Sequence, residues 1–213
     1  MITVDDIMHV IQQEAGEDIL RLSRAGDGDG DGDGDINEPF LLTARTHLIW
    51  LVVNLGTAII AASAVGLFQG EIAKFALLAV LMPIVSGMGG NAGTQTLAVV
   101  VRALATNQLT RSNTRRMILR EFGIALANGS ALGLMIGLSV AVIFENAMLG
   151  IVIGSAMVIN NLVAGLSGIL VPVAVEKFEI DPAVSSAVFV TMMTDIKGFF
   201  SFLGRTALAG LAG

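Results

Sequence analysis

The stretch AKFALLAVLMPIVSGMGGNAGTQTLAVVVRALA, from Ala73 to Ala105, decides the fold class. Its only ionisable side chains are Lys74 and Arg102, and each lies near one end. A helix needs about 20 mainly apolar residues to cross the roughly 30 Å hydrocarbon core of a bilayer. The length of this stretch therefore predicts a membrane-spanning helix rather than a buried strand of a soluble α/β protein.

The rest of the chain has the same character. The sequence has 213 residues, of which 54% are hydrophobic and only 14% charged, and its mean hydropathy is +0.79. Soluble domains are usually about one quarter charged. The composition also excludes a disulfide scaffold, because there is no cysteine, and a nucleic-acid binder with a basic face. We predict an all-α, polytopic membrane protein with five transmembrane helices, at Leu48–Phe68, Ala73–Ala105, Phe122–Phe144, Ala147–Val175 and Ala183–Leu211.

Charge is distributed unevenly along the chain. Residues 1–40 hold eleven acids and two bases, a net charge of -9, whereas the remaining 173 residues carry +3. Basic residues in short loops tend to stay on the cytoplasmic side. We therefore predict a cytoplasmic N-terminus and an outside C-terminus in a multi-pass protein of the cell (inner or plasma) membrane. The bases that set this orientation lie at the end of the second span and between it and the third span: Arg102, Arg111, Arg115, Arg116 and Arg120.

The acidic head divides into two parts before the membrane domain, residues 48–213. Residues 1–25 place apolar side chains at helical spacing, which predicts a cytoplasmic amphipathic helix. Residues 26–47 form an acidic Gly-Asp linker and a connecting segment. The linker fits the spacing of a calcium loop, but any Gly-Asp repeat satisfies half of that pattern, so an ordered cation loop and a flexible acidic linker both stay open. The candidate ligands for a cytosolic cation are Asp27, Asp29, Asp31, Asp33, Asp35 and Glu38.

Two ionisable side chains lie well inside a predicted span, Asp195 and Lys197 of the fifth. Asp195 is about 18 Å from the start of that helix, near the bilayer midplane. A charge at this depth is costly and is a functional candidate by default. Thr191 and Gly198 share its helix face, with Thr194 adjacent, so this polar stripe indicates a pore lining or an ion site. The alternative is an aspartate hydrogen-bonded to neighbouring helices, and Lys197, about 200° round the helix, cannot be its partner within the helix.

The second span carries a run of small and amide residues from Gly87 to Thr96. With Pro83, the run predicts an interruption of the helix, which at membrane depth is tolerated only inside protein or beside a water-filled cavity. Carbonyl and amide oxygens there can hydrogen-bond the water shell of a passing ion. A nucleotide-binding loop is excluded, because no strand precedes the glycines. The candidate pore-lining residues are Gly90, Asn91, Thr94 and Gln95, together with Thr194 and Gly198 of the fifth span.

Three further patterns complete the membrane domain. Gly129, Gly133 and Gly137 follow one another at four-residue steps, which predicts tight helix packing. Asn160 and Asn161 are polar at mid-depth, so we expect one to face a pore and the other to bond to a neighbouring helix. The sequence shows no nucleophile–base pair and no His/Cys cluster, which predicts that the chain is not an enzyme.

These motifs resemble the MgtE family of magnesium transporters. In the second span, Pro83, Gly89–Gln95 and Arg102–Ala105 resemble the family's proline, Gly-Gly-Asn-x-Gly-x-Gln and Ile-Arg-Ala-Leu pattern. In the fifth, Ile180–Ala183 and Thr191–Gly198 resemble its Asp-Pro-Ala and Thr/Ser-Asp-Val-x-Gly patterns. The resemblance covers essentially the whole chain, and the two intramembrane motifs are specific.

The resemblance implies a homodimer of five-helix protomers with a central pore that passes hydrated Mg²⁺ passively into the cytoplasm. Asp195 matches the family's pore aspartate, and Thr191 matches the position whose backbone carbonyl assists it. Residues 1–25 resemble the end of the family's second CBS domain, which leads through a linker into the membrane. Lys197 departs from the pattern, since the family usually has a neutral residue there.

The physics of Mg²⁺ agrees with a dimer. The ion is usually bound through one or two carboxylates, and a two-fold axis would supply two copies of Asp195. The expected partners are therefore a second copy, membrane lipid and divalent cations, without nucleic acid. Two alternatives stay open: a broader divalent pathway that passes Co²⁺ or Mn²⁺, and a truncated, non-conducting subunit that binds partners through its acidic head.

Overall fold

The computed structural model describes residues 40–106, 113–176 and 182–210 of the chain. The predicted amphipathic helix of residues 1–25 and the Gly-Asp linker, with Asp27 to Glu38, lie outside these residues, as does Arg111. Helices account for nearly all of the described part, and none of it is strand. The helices are α1 (Phe40–Gly66), α2 (Gln69–Lys74), α3 (Leu77–Ala105), α4 (Thr114–Ile143), α5 (Ala147–Glu176) and α6 (Pro182–Leu208).

Five of these helices are long and apolar enough to cross a membrane, and α2 is a short connecting helix. The all-α class and the predicted number of spans are confirmed. The third span starts at Thr114 rather than Phe122, because its first two turns are helical although they carry arginines. Long basic side chains can reach the interface from such a position. The predicted orientation of the termini stays a prediction.

The run of small residues does not interrupt the second span. Helical structure continues through Pro83 and every glycine of α3, so the predicted break, with its freed carbonyls, is wrong. In hydrocarbon, every backbone group must be hydrogen-bonded within the protein. This requirement outweighs the low helix propensity of glycine, which is about 1 kcal/mol per residue relative to alanine.

The centre of the bundle is α5, which packs along α4, α6 and α3. The helix α1 contacts the others chiefly through α6 and leaves most of its surface exposed. The helices α3 and α4, although consecutive in the chain, make at most a marginal contact with each other. A cleft therefore separates them, with α5 as its floor. The main core cluster comprises Leu78, Leu81, Val85, Val140, Leu149, Val152, Ile153, Ala156, Phe202 and Leu203.

The most extensive helix contact is that of α4 with α5, and glycines of both helices lie in it. A methyl group on Gly133 would lie 2.6 Å from the carbonyl oxygen of Gly154, and one on Gly137 would lie 2.8 Å from that of Gly150. Small residues are what allows helices in a membrane to approach so closely. The predicted packing role of the glycine steps in α4 is confirmed.

Candidate functional site

Asp195 lies at the middle of α6, equally far along the chain from Pro182 and from Leu208. This places it about 20 Å from both ends of the helix. Its side chain is half-buried, and its Oδ1 accepts a 2.9 Å hydrogen bond from the Ser86 hydroxyl of α3. No base among the described residues forms an ion pair with it. The polar site at mid-membrane therefore joins α3 to α6.

Ser86 was not among the residues that the sequence pattern singled out. It directly precedes the run that begins at Gly87, and it stands one helical turn before Gly90. That four-residue spacing is the sequence signal that would have identified Ser86, because an unbroken helix carries Ser86 and Gly90 on the same side. A helix interrupted at the glycines would not have kept Ser86 and Gly90 on one side.

The unbroken helix divides the second-span candidates between two sides of α3. At about 100° per residue, Gly90 and Thr94 lie about 40° and 80° round the helix from Ser86. Asn91 and Gln95 lie about 140° and 180° from it. Only the first pair is therefore on the Asp195 side, and the amides belong to a different surface.

The fifth-span candidates differ in how far they reach the surface. The Thr194 side chain is fully buried, and its hydroxyl donates to the Thr191 carbonyl oxygen at 2.9 Å. Thr191 is half-buried, and its own hydroxyl donates to the Ala187 carbonyl oxygen at 2.9 Å. Of these two threonines, Thr191 therefore lies nearer the surface of the helix bundle.

Asn160 of α5 lies beside this site and contacts both α3 and α6. It is fully buried, and its Nδ2 donates to the Val85 carbonyl oxygen at 2.7 Å. Gly89 and Gly198 make room for it: a methyl on Gly198 would lie 2.8 Å from Asn160 Nδ2, and one on Gly89 would overlap that atom. The expected bond from one of the two asparagines to a neighbouring helix is confirmed. Gly198 serves packing against Asn160.

Asn91 and Gln95 line the cleft between α3 and α4. Its inner part consists of two adjoining cavities of about 250 Å³ and 280 Å³. Asn128 of α4 and Asn161 of α5 line both cavities. A space of this size with several amides is able to hold ordered water. The structure therefore forms a second polar region, on the side of α3 away from Asp195.

Glu121 adds a buried carboxylate to this second region. Its side chain is only 8% exposed, and its Oε2 accepts a 3.2 Å hydrogen bond from the Thr96 hydroxyl. No ion pair within the described ranges includes it. The sequence pattern missed Glu121 because the third span was predicted to begin one residue later. Its four-residue steps to Ala125 and Gly129, both buried in α4, are the signal that places it on the inner face.

Lys197 lies on an exposed part of α6. It forms no ion pair with any residue in the described part of the chain. Its exposure agrees with a side chain that points outward rather than one that pairs across helices. Within the described ranges, no cluster of three His, Cys, Asp or Glu side chains could hold a metal ion. The described part of the chain therefore places a single carboxylate, that of Asp195, at hydrogen-bond distance from Ser86.

Comparison with known proteins finds a family profile whose match covers the residues of the site. The profile of a family described as "Divalent cation transporter", MgtE, matches residues 82–205, which is more than half of the chain. This range includes Ser86, Asn160 and Asp195.

Three curated relatives carry the name Magnesium transporter MgtE. The chain is 32% identical to that of Bacillus subtilis over 205 residues, which is 96% of this chain and 44% of the relative. It is 38% identical to that of Enterococcus faecalis, over 92% of this chain and 42% of the relative. It is 30% identical to that of Thermus thermophilus, over 98% and 45% respectively.

The chain thus spans less than half the length of these relatives. Its five apolar helices and the family match make it a multi-pass membrane protein. The family is one of transporters, which agrees with the expectation that the chain is not an enzyme. The chain belongs to the MgtE family of divalent cation transporters.

Proposed function

We propose that the chain conducts hydrated Mg²⁺ passively into the cytoplasm of the cell, through a pore between two copies of itself in the cell membrane. The observation that carries this proposal is the half-buried Asp195 carboxylate at the middle of α6, held by the Ser86 hydroxyl. Mg²⁺ keeps several of its waters and is usually bound through one or two carboxylates. A carboxylate at this depth without a basic partner in the described part of the chain provides such a ligand.

The second copy supplies the second carboxylate. The described part of one protomer has no cluster of acidic or histidine ligands, and oligomers are most often two-fold symmetric dimers. An axis beside α6 would place one Asp195 on each side of a hydrated ion. Each protomer would contribute the same pair of groups, Ser86 and Asp195.

Polar groups of α3 extend the surface beside Ser86. Gly90 and Thr94 lie on the same side of the helix, and Thr94 is about 12 Å further along it. The exposed Thr94 hydroxyl donates to the carbonyl oxygens of Gly90 at 3.1 Å and Asn91 at 3.0 Å. Such groups can hydrogen-bond the waters around an ion on its way to Asp195. The Thr191 carbonyl of α6 is a further candidate ligand for those waters.

The identity of the ion is proposed from the relatives, each of which is named a magnesium transporter. The inward direction follows from physics. A membrane potential that is negative inside contributes about 2.3 kcal/mol per elementary charge for each 100 mV, so it favours entry of a divalent cation without another energy source.

The test is Mg²⁺ uptake by liposomes that contain the purified chain and a Mg²⁺-sensitive dye, with an imposed inside-negative potential. We expect the unaltered chain to support uptake and Asp195→Asn to abolish it, because the amide keeps the size of the side chain but removes its charge. The exposed Glu145 in the α4–α5 connection allows a matched control, Glu145→Gln, which should retain uptake.

Three outcomes would contradict parts of the proposal. Full uptake by Asp195→Asn would exclude the carboxylate as the ion ligand. No uptake by the unaltered chain would favour a non-conducting subunit. Uptake of Co²⁺ or Mn²⁺ at a comparable rate would favour the broader divalent pathway.

A further inference from the structure

The cleft between α3 and α4 opens into a basic cavity of about 610 Å³ at the C-terminal end of α3 and the N-terminal end of α4. It forms because α3 and α4 both pack on α5 but hardly touch each other. Its basic members are Arg102 in the last turn of α3 and Arg116 and Arg120 in the first two turns of α4. Three positive charges thus face one space at the ends of two membrane-spanning helices. We call this space the arginine cleft.

The arginines of this cleft have no acidic partner at ion-pair distance within the described ranges, although Arg120 and Glu121 both line the adjoining cavity. Each of the three side chains is exposed, and none forms an ion pair with a described Asp or Glu. Glu121, which follows Arg120 directly, is buried and is bonded to the Thr96 hydroxyl instead. The guanidinium groups therefore have donors available for a ligand.

The chemistry of the arginine cleft selects an anion with an apolar part. A guanidinium donates two parallel hydrogen bonds to phosphate oxygens, which is why arginine recognises phosphate. Between the arginines, Val99, Ala103 and Met117 give the cleft an apolar wall. A divalent cation would be repelled by three positive charges, so this cleft is not part of the cation path.

The position of the arginine cleft favours a lipid as the source of the phosphate. Arg102 and Arg116 lie within one turn of the ends of their helices, where the headgroup region of a bilayer is expected. Basic pockets between transmembrane helices on the cytoplasmic side bind anionic headgroups. The gap between α3 and α4 also gives an acyl chain access to the apolar wall.

We propose that the arginine cleft binds the phosphate of an anionic membrane lipid, which bridges α3 and α4. Arg102 contacts the phosphate from α3, and Arg116 and Arg120 contact it from α4. The acyl chains lie along Val99 and Met117. Since the two helices have little direct contact, the bound lipid supplies part of the interface between them.

The experiment measures lipid bound to the purified full chain in detergent. The protein is equilibrated with equal amounts of phosphatidylglycerol and phosphatidylcholine, and the lipids that remain bound are counted by mass spectrometry of the intact complex. We expect a preference for phosphatidylglycerol in the unaltered chain. The double variant Arg102→Gln/Arg116→Gln should lower that preference about thirtyfold, because each of the two basic residues near an anionic headgroup contributes about 1 kcal/mol.

The matched control is Arg115→Gln. Arg115 is adjacent to Arg116 and equally exposed, but it does not line the arginine cleft. It lies about 100° round the helix from Arg116. If Arg115→Gln retains the preference for phosphatidylglycerol, the lipid binds at the arginine cleft. An equal loss in Arg115→Gln and in the double variant would show that only the net positive charge attracts the lipid, and it would overturn the proposal.

Two further measurements keep the test decisive. If the double variant does not fold, Arg116→Gln alone is measured in the same way, and an unchanged lipid preference would overturn the proposal. Millimolar inorganic phosphate is added to the unaltered chain to identify the source of the phosphate. Retention of phosphatidylglycerol supports the lipid, and its displacement would assign the cleft to a soluble phosphate instead.

Discussion

The Ser86 hydroxyl donates a 2.9 Å hydrogen bond to Oδ1 of Asp195, between residues 109 positions apart in the chain. The bond joins α3 to α6 in the middle of the membrane domain. Asn160 of α5 donates a hydrogen bond to the carbonyl oxygen of Val85, the residue before Ser86, and so holds this part of α3 in place. Three helices therefore fix the position of one carboxylate. Such a bond to an ionised group in a partly buried place contributes about 1.5–3 kcal/mol.

Ser86→Ala should weaken transport without abolishing it. The change removes one hydrogen bond to Asp195 and leaves its charge in place, so we expect a several-fold lower rate of Mg²⁺ uptake in liposomes. Stability should fall by about 1.5–3 kcal/mol, measured by thermal unfolding in detergent. Unaltered values in both measurements would show that the hydrogen bond does not position the carboxylate.

Gly198→Ala should destabilise the bundle, because the added methyl would lie 2.8 Å from Asn160 Nδ2. Overpacking of this kind costs about 1–3 kcal/mol, and the readout is the midpoint of thermal unfolding. Gly87→Ala is the matched control, since a methyl there meets nothing within 4 Å. Equal midpoints for the two variants would contradict the packing that we describe around Asn160.

Glu121→Gln should raise stability. The carboxylate is buried and has no basic partner among the described residues, so replacing it by a neutral amide removes the cost of a buried charge. The amide oxygen can still accept the hydrogen bond from Thr96. Thr96→Val removes that donor and should lower stability by about 1–3 kcal/mol. A lower unfolding midpoint for Glu121→Gln would indicate that an unidentified cation neutralises this group.

Lys197→Gln should leave Mg²⁺ uptake unaltered within about twofold. Lys197 is exposed and lies about 200° round α6 from Asp195, so its charge does not face the same surface. Uptake is measured in liposomes as for Asp195→Asn. A large rise in rate would show that this lysine repels the ion and therefore lies beside the pore.

The five spans were predictable from the sequence because each is a long apolar stretch, and that property does not depend on what packs against it. The relation of Ser86 to Asp195 was not predictable, since it arises from contact between distant helices. Helical periodicity would have separated Gly90 from Asn91, but the expected break removed the basis for applying it. Glycine has a low helix propensity in water, whereas hydrocarbon enforces backbone hydrogen bonding and keeps the glycine-rich part of α3 helical.

Glu121 illustrates a different difficulty. Apolar stretches define a span by its hydrocarbon part, whereas the helix itself extends further, by eight residues at the start of α4. When only hydropathy is considered, a carboxylate in those first eight residues of α4, such as that of Glu121, is assigned to a loop. Its burial is decided by α3 and α5, which lie against it through Thr96 and Gly165.

The continuity of α3 has a mechanical consequence. From Ser86 to Arg102 the helix rises about 24 Å without a joint, so it behaves as a stiff rod between mid-membrane and the membrane face. A tilt imposed at the arginine end displaces the Ser86 hydroxyl and, through it, the carboxylate of Asp195. An interrupted helix would have absorbed that tilt at the glycines, and the two ends would have moved independently.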